Sequence, residues 1–263
     1  MEIINITKLK KKYKIDFSDG KYIYLSENTV LKYNIIKKGL LSETVLREAQ
    51  VFEGKEQAFT KALNYLSYGM KSEYEIKEYL IKKEFSLGQI DYAIPKLKEF
   101  NYIRDDEYAK SYSRDYFLLK KKGPSYIRKN LEKKKVPSEY IDVAIKEICT
   151  NEKMIDVVYG IIEKEYNKKN EPKTKKIQKI TNKLYTNGYS FDIINSVFKI
   201  YLENHEDTGS DNRIISKYYQ KAYNKFSKKY DDNYTLKNKI IEKLIRDGFS
   251  YGDIKDYLEE IDF

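Results

Sequence analysis

The amino-acid sequence predicts a mainly α-helical protein in which tandem three-helix repeats form an elongated curved array behind a small N-terminal β module. Three observations carry that expectation. The 263 residues include only 11 Gly and 4 Pro, which is little turn material for an all-β chain. Residues 3–36 are rich in β-formers and contain an Asp-Gly turn signal. From residue 56 onward the apolar pattern is helical, and one register recurs four times.

Taken in order, Tyr13–Phe17 faces Tyr22–Leu25 across Ser18, Asp19 and Gly20. Asp-Gly tolerates the positive φ of a tight turn, so a hairpin is expected, with residues 3–9 as a third strand. Ser42 then caps a short helix carrying Val45, Leu46 and Ala49, expected to end before Glu53 and Gly54, where the main body opens.

The recurring register is anchored on a leucine. Leu80 precedes Phe85, Ile90 and Ile94; Leu131 precedes Val136, Ile141 and Ile145; Leu184 precedes Tyr189, Ile194 and Phe198; Leu244 precedes Phe249, Ile254 and Leu258. In each set the leucine ends one helix and the later residues belong to the next. Ser86, Ser190 and Ser250 occupy the capping place of that next helix, with Ser138 displaced by one behind Pro137. Ser72 with Glu75 and Ser86 with Gln89 have capping-box spacing. Gly188 and Gly248 stand where a helix end favours a left-handed backbone, and Glu84 and Lys135 hold that place in the other two turns.

A longer helix is expected before each pair, over residues 58–68, 106–121, 153–167 and 214–229, completing three helices per repeat. Pro124 and Pro172 sit near helix starts, where a missing amide hydrogen costs least, whereas Pro95 falls inside a helix and is expected to bend it. Polar residues 204–211 mark the expected flexible joint. The expected division is residues 1–54 for the β module with its short helix, then repeats at 55–103, 104–150, 151–204 and 205–263.

Charge points to a polyanion. Lys and Arg number 51 against 41 Asp and Glu, a net charge of +10. The excess clusters: Lys120, Lys121, Lys122, Arg128, Lys129, Lys133, Lys134 and Lys135 are opposed only by Glu132 between residues 120 and 135. Arg128 and Lys135, seven apart, are expected on one solvent-facing side of a helix whose inner side is Ile127 and Leu131. Lys168, Lys169, Lys173, Lys175, Lys176, Lys179 and Lys183 form a second run, interrupted by Glu171. Lysines attract phosphate without a base-reading fork, so contact with single-stranded DNA is expected to be weak and independent of sequence. The 27 tyrosines are able to stack on unpaired bases, but at helical spacing a tyrosine is more often half-buried core.

Catalytic chemistry lacks its parts. Cys149 and His205 are each the sole residue of their kind, so a zinc cluster and a nucleophile–base triad are not expected. No phosphate-binding loop signature occurs, and Glu73 with Glu75, or Asp105 with Asp106, suit helix starts better than acid–base pairs. No cofactor or metal is expected. No segment approaches the ~20 apolar residues that span a bilayer, so a cytoplasmic protein without membrane contact is expected.

Ala62, Leu63, Asn64, Tyr65, Leu66 and Ser67, then the run from Lys71 to Ile76, Leu80 and Lys83 to Phe85 resemble the first helical unit of RecX proteins. Tyr102, Ile103, Asp105, Tyr108, Ala109 and Arg114, followed by Gly123, Pro124, Ile127, Arg128, Leu131 and Val136, are similar to the second. The resemblance covers residues 58–148; the hairpin fits longer members, and the last two repeats match in hydrophobic register. Asn101 and Glu84 stand where the family usually has glycine, and Tyr116 where a basic residue is common. The resemblance implies a monomer without a catalytic site of its own. Such a protein binds the RecA recombinase polymerised on single-stranded DNA, in the groove of the filament, and limits its ATPase, strand exchange and growth in recombination, DNA repair and the SOS response. Arg114 then joins the lysines and Arg128 as a candidate contact. Without the resemblance the residues define a polyanion-binding helical array, leaving open a stand-alone DNA-binding module of helix-turn-helix-like units or a structural scaffold.

Overall fold

Alternation of apolar and polar side chains sets the N-terminal strands. A computed structural model describes residues 1–167, 171–205 and 212–263. In it β1 (Glu2–Lys8), β2 (Tyr13–Phe17), β3 (Tyr22–Leu25) and β4 (Gly39–Leu40) make an antiparallel sheet in the order β3-β2-β1-β4. The hairpin turns at Gly20, whose φ is +81°, as the Asp-Gly signal predicts. Between β3 and β4 lies α1 (Glu27–Lys32), capped by Ser26, a helix too short for the sequence pattern to reveal.

The helix after Ser42 corrects one expectation. It does not end before Glu53 and Gly54; α2 (Glu43–Leu66) runs unbroken for 24 residues. One interior glycine costs a helix about 1 kcal/mol relative to Ala, and tertiary bonds at the same turn offset it. Glu53 accepts hydrogen bonds from the Ser26 amide and the Thr29 hydroxyl, both at 2.7 Å. Glu56 accepts from Asn28 at 2.7 Å, Tyr92 at 2.5 Å and Lys96 at 2.7 Å. Beside them Ile3, Ile15, Phe17 and Leu25 of the sheet pack with Val30, Ile35, Leu46 and Ala49.

The remaining helices follow in threes. After α2 come α3 (Glu73–Lys82) and α4 (Leu87–Glu99). The next set is α5 (Asp105–Arg114), which passes into a π-helical segment at Asp115–Leu119, then α6 (Pro124–Lys133) and α7 (Ser138–Ile148). The third is α8 (Asn151–Tyr166), α9 (Lys173–Thr186) and α10 (Phe191–Asn204), and the fourth α11 (Asn212–Phe226), α12 (Asn233–Asp247) and α13 (Tyr251–Glu260). The residues of the fourfold register are buried, apart from the half-buried Phe85 and Ile145. Pro95 lies inside α4 as expected.

Caps follow the sequence with one exception. Ser72 and Glu75 form both bonds of a capping box, Gln89 accepts from the Ser86 amide at 2.9 Å, and Ser250 accepts from the Asp253 amide at 3.0 Å. Ser138 is the first residue of α7 and not its cap, because the Pro137 carbonyl accepts the opening bonds. Glu84 and Lys135 adopt the left-handed backbone at φ +64° and +54°, like Gly188 and Gly248 at +94° and +102°. The expected joint lies largely in 206–211, outside the described residues, as do Lys168 and Lys169.

Two compact units divide the chain. The first joins Met1–Ser111 with Asn130–Ala144, and the second joins Tyr112–Lys129 with Ile145–Phe263.

Candidate functional site

Within each unit, the turn ending the middle helix of one set docks on the start of the middle helix of the set before. In the first unit the Ser72 hydroxyl at the cap of α3 donates to the Lys134 carbonyl at 3.1 Å, and the Lys134 ammonium pairs with Glu75. In the second unit the amides of Gly123 and Ser125 at the start of α6 donate to the carbonyls of Asn187 and Gly188 at 2.7 and 3.1 Å. The Tyr189 hydroxyl donates to the Lys121 carbonyl at 3.2 Å. Further along the same unit, Thr174 at the start of α9 donates to the Gly248 carbonyl, and Lys175 pairs with Asp247 at 3.3 Å. Helix starts that bare sequence would offer to an anion are thus occupied by carbonyls of the chain itself.

This docking sorts the candidate cations. Lys120 and Lys121 lie on the turn leading into α6; both are exposed, and neither forms an ion pair with a described residue. Exposed Lys129, Lys133, Lys135 and Arg114 also lack one among the described residues. Lys122 departs from the solvent-facing expectation: its ammonium donates to Asn187 Oδ1 at 2.7 Å and lies 4.8 Å from the centre of the Tyr126 ring. Arg128 is half-buried, which again corrects an expected open face. Lys135 does not share a helix face with Arg128, because α6 ends at Lys133 and Lys135 sits in the left-handed turn beyond it.

The second basic run is largely paired. Lys175 is held by Asp247, Lys179 by Glu171 at 2.6 Å, and Lys183 by Glu165 at 3.2 Å. Lys176 lies 5.0 Å from the Tyr166 ring centre, and Lys173 is half-buried. Their charge is consequently less available than the spacing predicts.

Sequence reasoning missed Lys164. In the second unit it lines an open groove of about 620 Å³ with Lys120, Lys121 and the apolar strip Val157, Gly160 and Ile161 of α8. The groove forms because the turn before α6 and the end of α9 meet α8, a juxtaposition that no local periodicity signals. Tyr116, at the position where a basic residue is common, stacks between Tyr112 at 4.1 Å and Tyr126 at 5.9 Å.

Among the described residues no group of three or more His, Cys, Asp or Glu is placed to hold a metal ion, and no helix is long and apolar enough to cross a membrane. Cys149 is buried, and desolvation pushes its thiol up to about 11, away from nucleophilic reactivity at neutral pH. Asp105 begins α5 and accepts from the Glu73 amide at 2.9 Å, while Glu75 closes the α3 cap, so these acids are engaged in helix starts.

Sets of three helices docked turn on helix, with lysines on the connecting turns and a sheet at the N-terminus, define a helical-repeat protein. Comparison with known proteins specifies which kind. The pattern of the RecX first three-helix domain matches residues 58–97, and that of the second three-helix domain matches 105–145. Over 267 residues the chain is 33% identical to the regulatory protein RecX of Bacillus cytotoxicus, covering 98% of this chain and 96% of that one. It is 31% identical to its counterpart from Lactococcus lactis subsp. cremoris, covering 100% and 98%. A crystal structure of regulatory protein RecX, 27% identical, superposes with a TM-score of 0.67 over 75% of this chain and 98% of that one. RecX from Lactobacillus salivarius, 29% identical, gives 0.53 over 56% and 96%. The chain belongs to the RecX family of regulatory proteins.

Proposed function

We propose that this chain is a non-enzymatic, monomeric, cytoplasmic regulator that binds RecA polymerised on single-stranded DNA and limits its ATPase, strand exchange and filament growth. The observation that carries the reading is membership of the RecX family along the whole chain, which the name ties to RecA. The exposed lysines supply a compatible chemistry. Lys120, Lys121 and Lys129 present cations that no described carboxylate neutralises, suited to phosphates and to acidic protein surface. In this reading the four sets of helices act as successive repeats whose separate weak contacts add along a polymer.

The test is the DNA-dependent ATPase of RecA with and without this protein, beside co-sedimentation with DNA alone, RecA alone and the filament. ATP turnover by RecA should fall, the purified chain should hydrolyse none, and retention should be greatest on the filament. Equal retention on bare single-stranded DNA and on filament would overturn the reading in favour of a stand-alone DNA binder.

A further inference from the structure

The outer face of the N-terminal sheet carries a feature that the helical repeats do not use. Along β3 the side chains alternate, so Leu25 is buried in the module core and Ile23 packs against it, while Tyr22 and Tyr24 point the other way. The two rings remain 54% and 44% exposed, with centres 5.5 Å apart. Across the ladder Tyr24 pairs with Lys14 and Tyr22 with Asp16, while Asn5 and Thr7 of β1 lie beyond. The Lys14 ammonium stands 4.7 Å from the Tyr22 ring centre and pairs with Asp16 at 2.7 Å, neutralising that carboxylate.

Two exposed tyrosines on the edge strand of the sheet need an explanation. A fold that only had to close its core would place polar residues here, as it does at Asn5 and Thr7. The surrounding charge indicates what the rings would meet. Residues 1–41 contain nine lysines against four acids. Lys10, Lys11 and Lys12 form the β1–β2 turn, are exposed, and have no described ion-pair partner. That turn leaves the sheet at the Tyr13–Leu25 end, beside Tyr24, while Lys21, just before β3 at the Tyr22 end, is paired with Asp19 at 3.3 Å. Three open cations beside a pair of amphipathic rings match a backbone of phosphates whose bases are unpaired.

We propose that this sheet face binds single-stranded nucleic acid, with Tyr22 and Tyr24 stacking on bases and Lys10, Lys11 and Lys12 holding the adjoining phosphates. The site is separate from the lysines of the helical repeats and does not depend on their role. Because stacking accepts any base, binding here has little sequence preference, and because duplex bases are already stacked, it selects single strands.

The chain contains no tryptophan, which makes a direct test available. Tyr24→Trp places a single emitter on the face, and Tyr234→Trp, at an exposed site on α12, serves as the control. Full-length protein is titrated with oligodeoxythymidylate, with oligouridylate and with a duplex of the same length, while anisotropy of the labelled strand reports binding. Emission from Tyr24→Trp should be quenched by both single strands and not by the duplex, and emission from Tyr234→Trp should not change. Tyr22→Ala and Tyr24→Ala should each weaken single-strand binding about tenfold, and the Phe replacements should retain it. Absence of single-strand binding, binding without quenching, or equal affinity of the Ala and parent proteins would overturn the proposal. Each of these outcomes would leave the RecA reading to its own ATPase test.

Discussion

A β-carbon placed on Gly123 would stand 2.5 Å from the carbonyl oxygen of Gly188, so the start of α6 and the turn ending α9 meet backbone to backbone. Gly188 is constrained from its own side too, since a β-carbon there would lie 2.4 Å from the Tyr126 amide nitrogen at a φ of +94°. The Gly248 turn repeats the geometry with a softer neighbour, the side chains of Thr174 and Lys175.

That difference predicts an order. Gly188→Ala should destabilise the protein by more than the ~1–2 kcal/mol of a left-handed alanine alone, because backbone must also move. Gly248→Ala should cost less, since side chains rotate away. Urea melts of the two variants give the comparison, and equal midpoints would show that the Gly123–Gly188 approach is not a tight one.

The sorting of the lysines predicts two behaviours among neighbouring cations. Lys120→Gln, Lys121→Gln and Lys129→Gln together should leave the thermal melt within about 0.5 kcal/mol of the parent. The triple variant should inhibit RecA more weakly, with a log–log salt slope shallower by about 0.7 for each single-strand phosphate that is no longer neutralised. Lys122→Gln should instead lower the melting temperature, because its ammonium is tied to Asn187. A salt titration of ATPase inhibition beside the melts separates the two.

Ile127 and Leu131 are both fully buried on α6. Alanine at either should cost about 2–5 kcal/mol, the range for emptying a packed aliphatic site. Chemical unfolding measures the loss, and a cost below about 1 kcal/mol would place these residues outside the packed interior.

Stability should fall on the acid side through Glu56. Burial pushes its carboxyl up, but hydrogen bonds from Lys96, Tyr92 and Asn28 outweigh burial and hold it below the usual 4.5. A carboxyl held low in the folded chain contributes fully above its unfolded value, and that contribution is lost as the pH falls through the lower folded one. Glu56→Ala should cost about 1.5–3 kcal/mol at neutral pH, the range for hydrogen bonds to a charged group, because Lys96 and Tyr92 lose their carboxylate acceptor. It should also flatten the decline of the urea midpoint below pH 4.5, the value of the unfolded group.

Cys149 should resist alkylation in the native protein near neutral pH, since burial both covers the thiol and raises it to about 11. Labelling by a thiol reagent at increasing urea should follow the unfolding curve. Rapid native labelling would contradict the buried position.

Local features were legible in the sequence because they depend on neighbours a few residues away. The leucine register, the caps at Ser42, Ser72, Ser86, Ser190 and Ser250, and the Asp-Gly hairpin are short-range patterns, and each appears where its spacing places it. The same locality explains two failures: Glu53 and Gly54 read as a break until Ser26, Thr29, Asn28, Tyr92 and Lys96 supply distant bonds to that turn. Ser138 reads as a cap until the Pro137 carbonyl takes the role.

The charge of residues 120–135 and 168–183 was equally plain in the sequence, but its availability was not. Lys122 meets Asn187, and Lys175 meets Asp247, across sequence separations of 65 and 72 residues. Lys120 and Lys121, neighbours of Lys122 on the same turn, stay in solvent. Sequence alone determined the paired helices of the leucine register, their repetition and the sign of the charge, because these follow from side-chain chemistry and short-range spacing. Tertiary structure decided which cations remain open, since an ion pair forms only where packing brings a distant partner within reach.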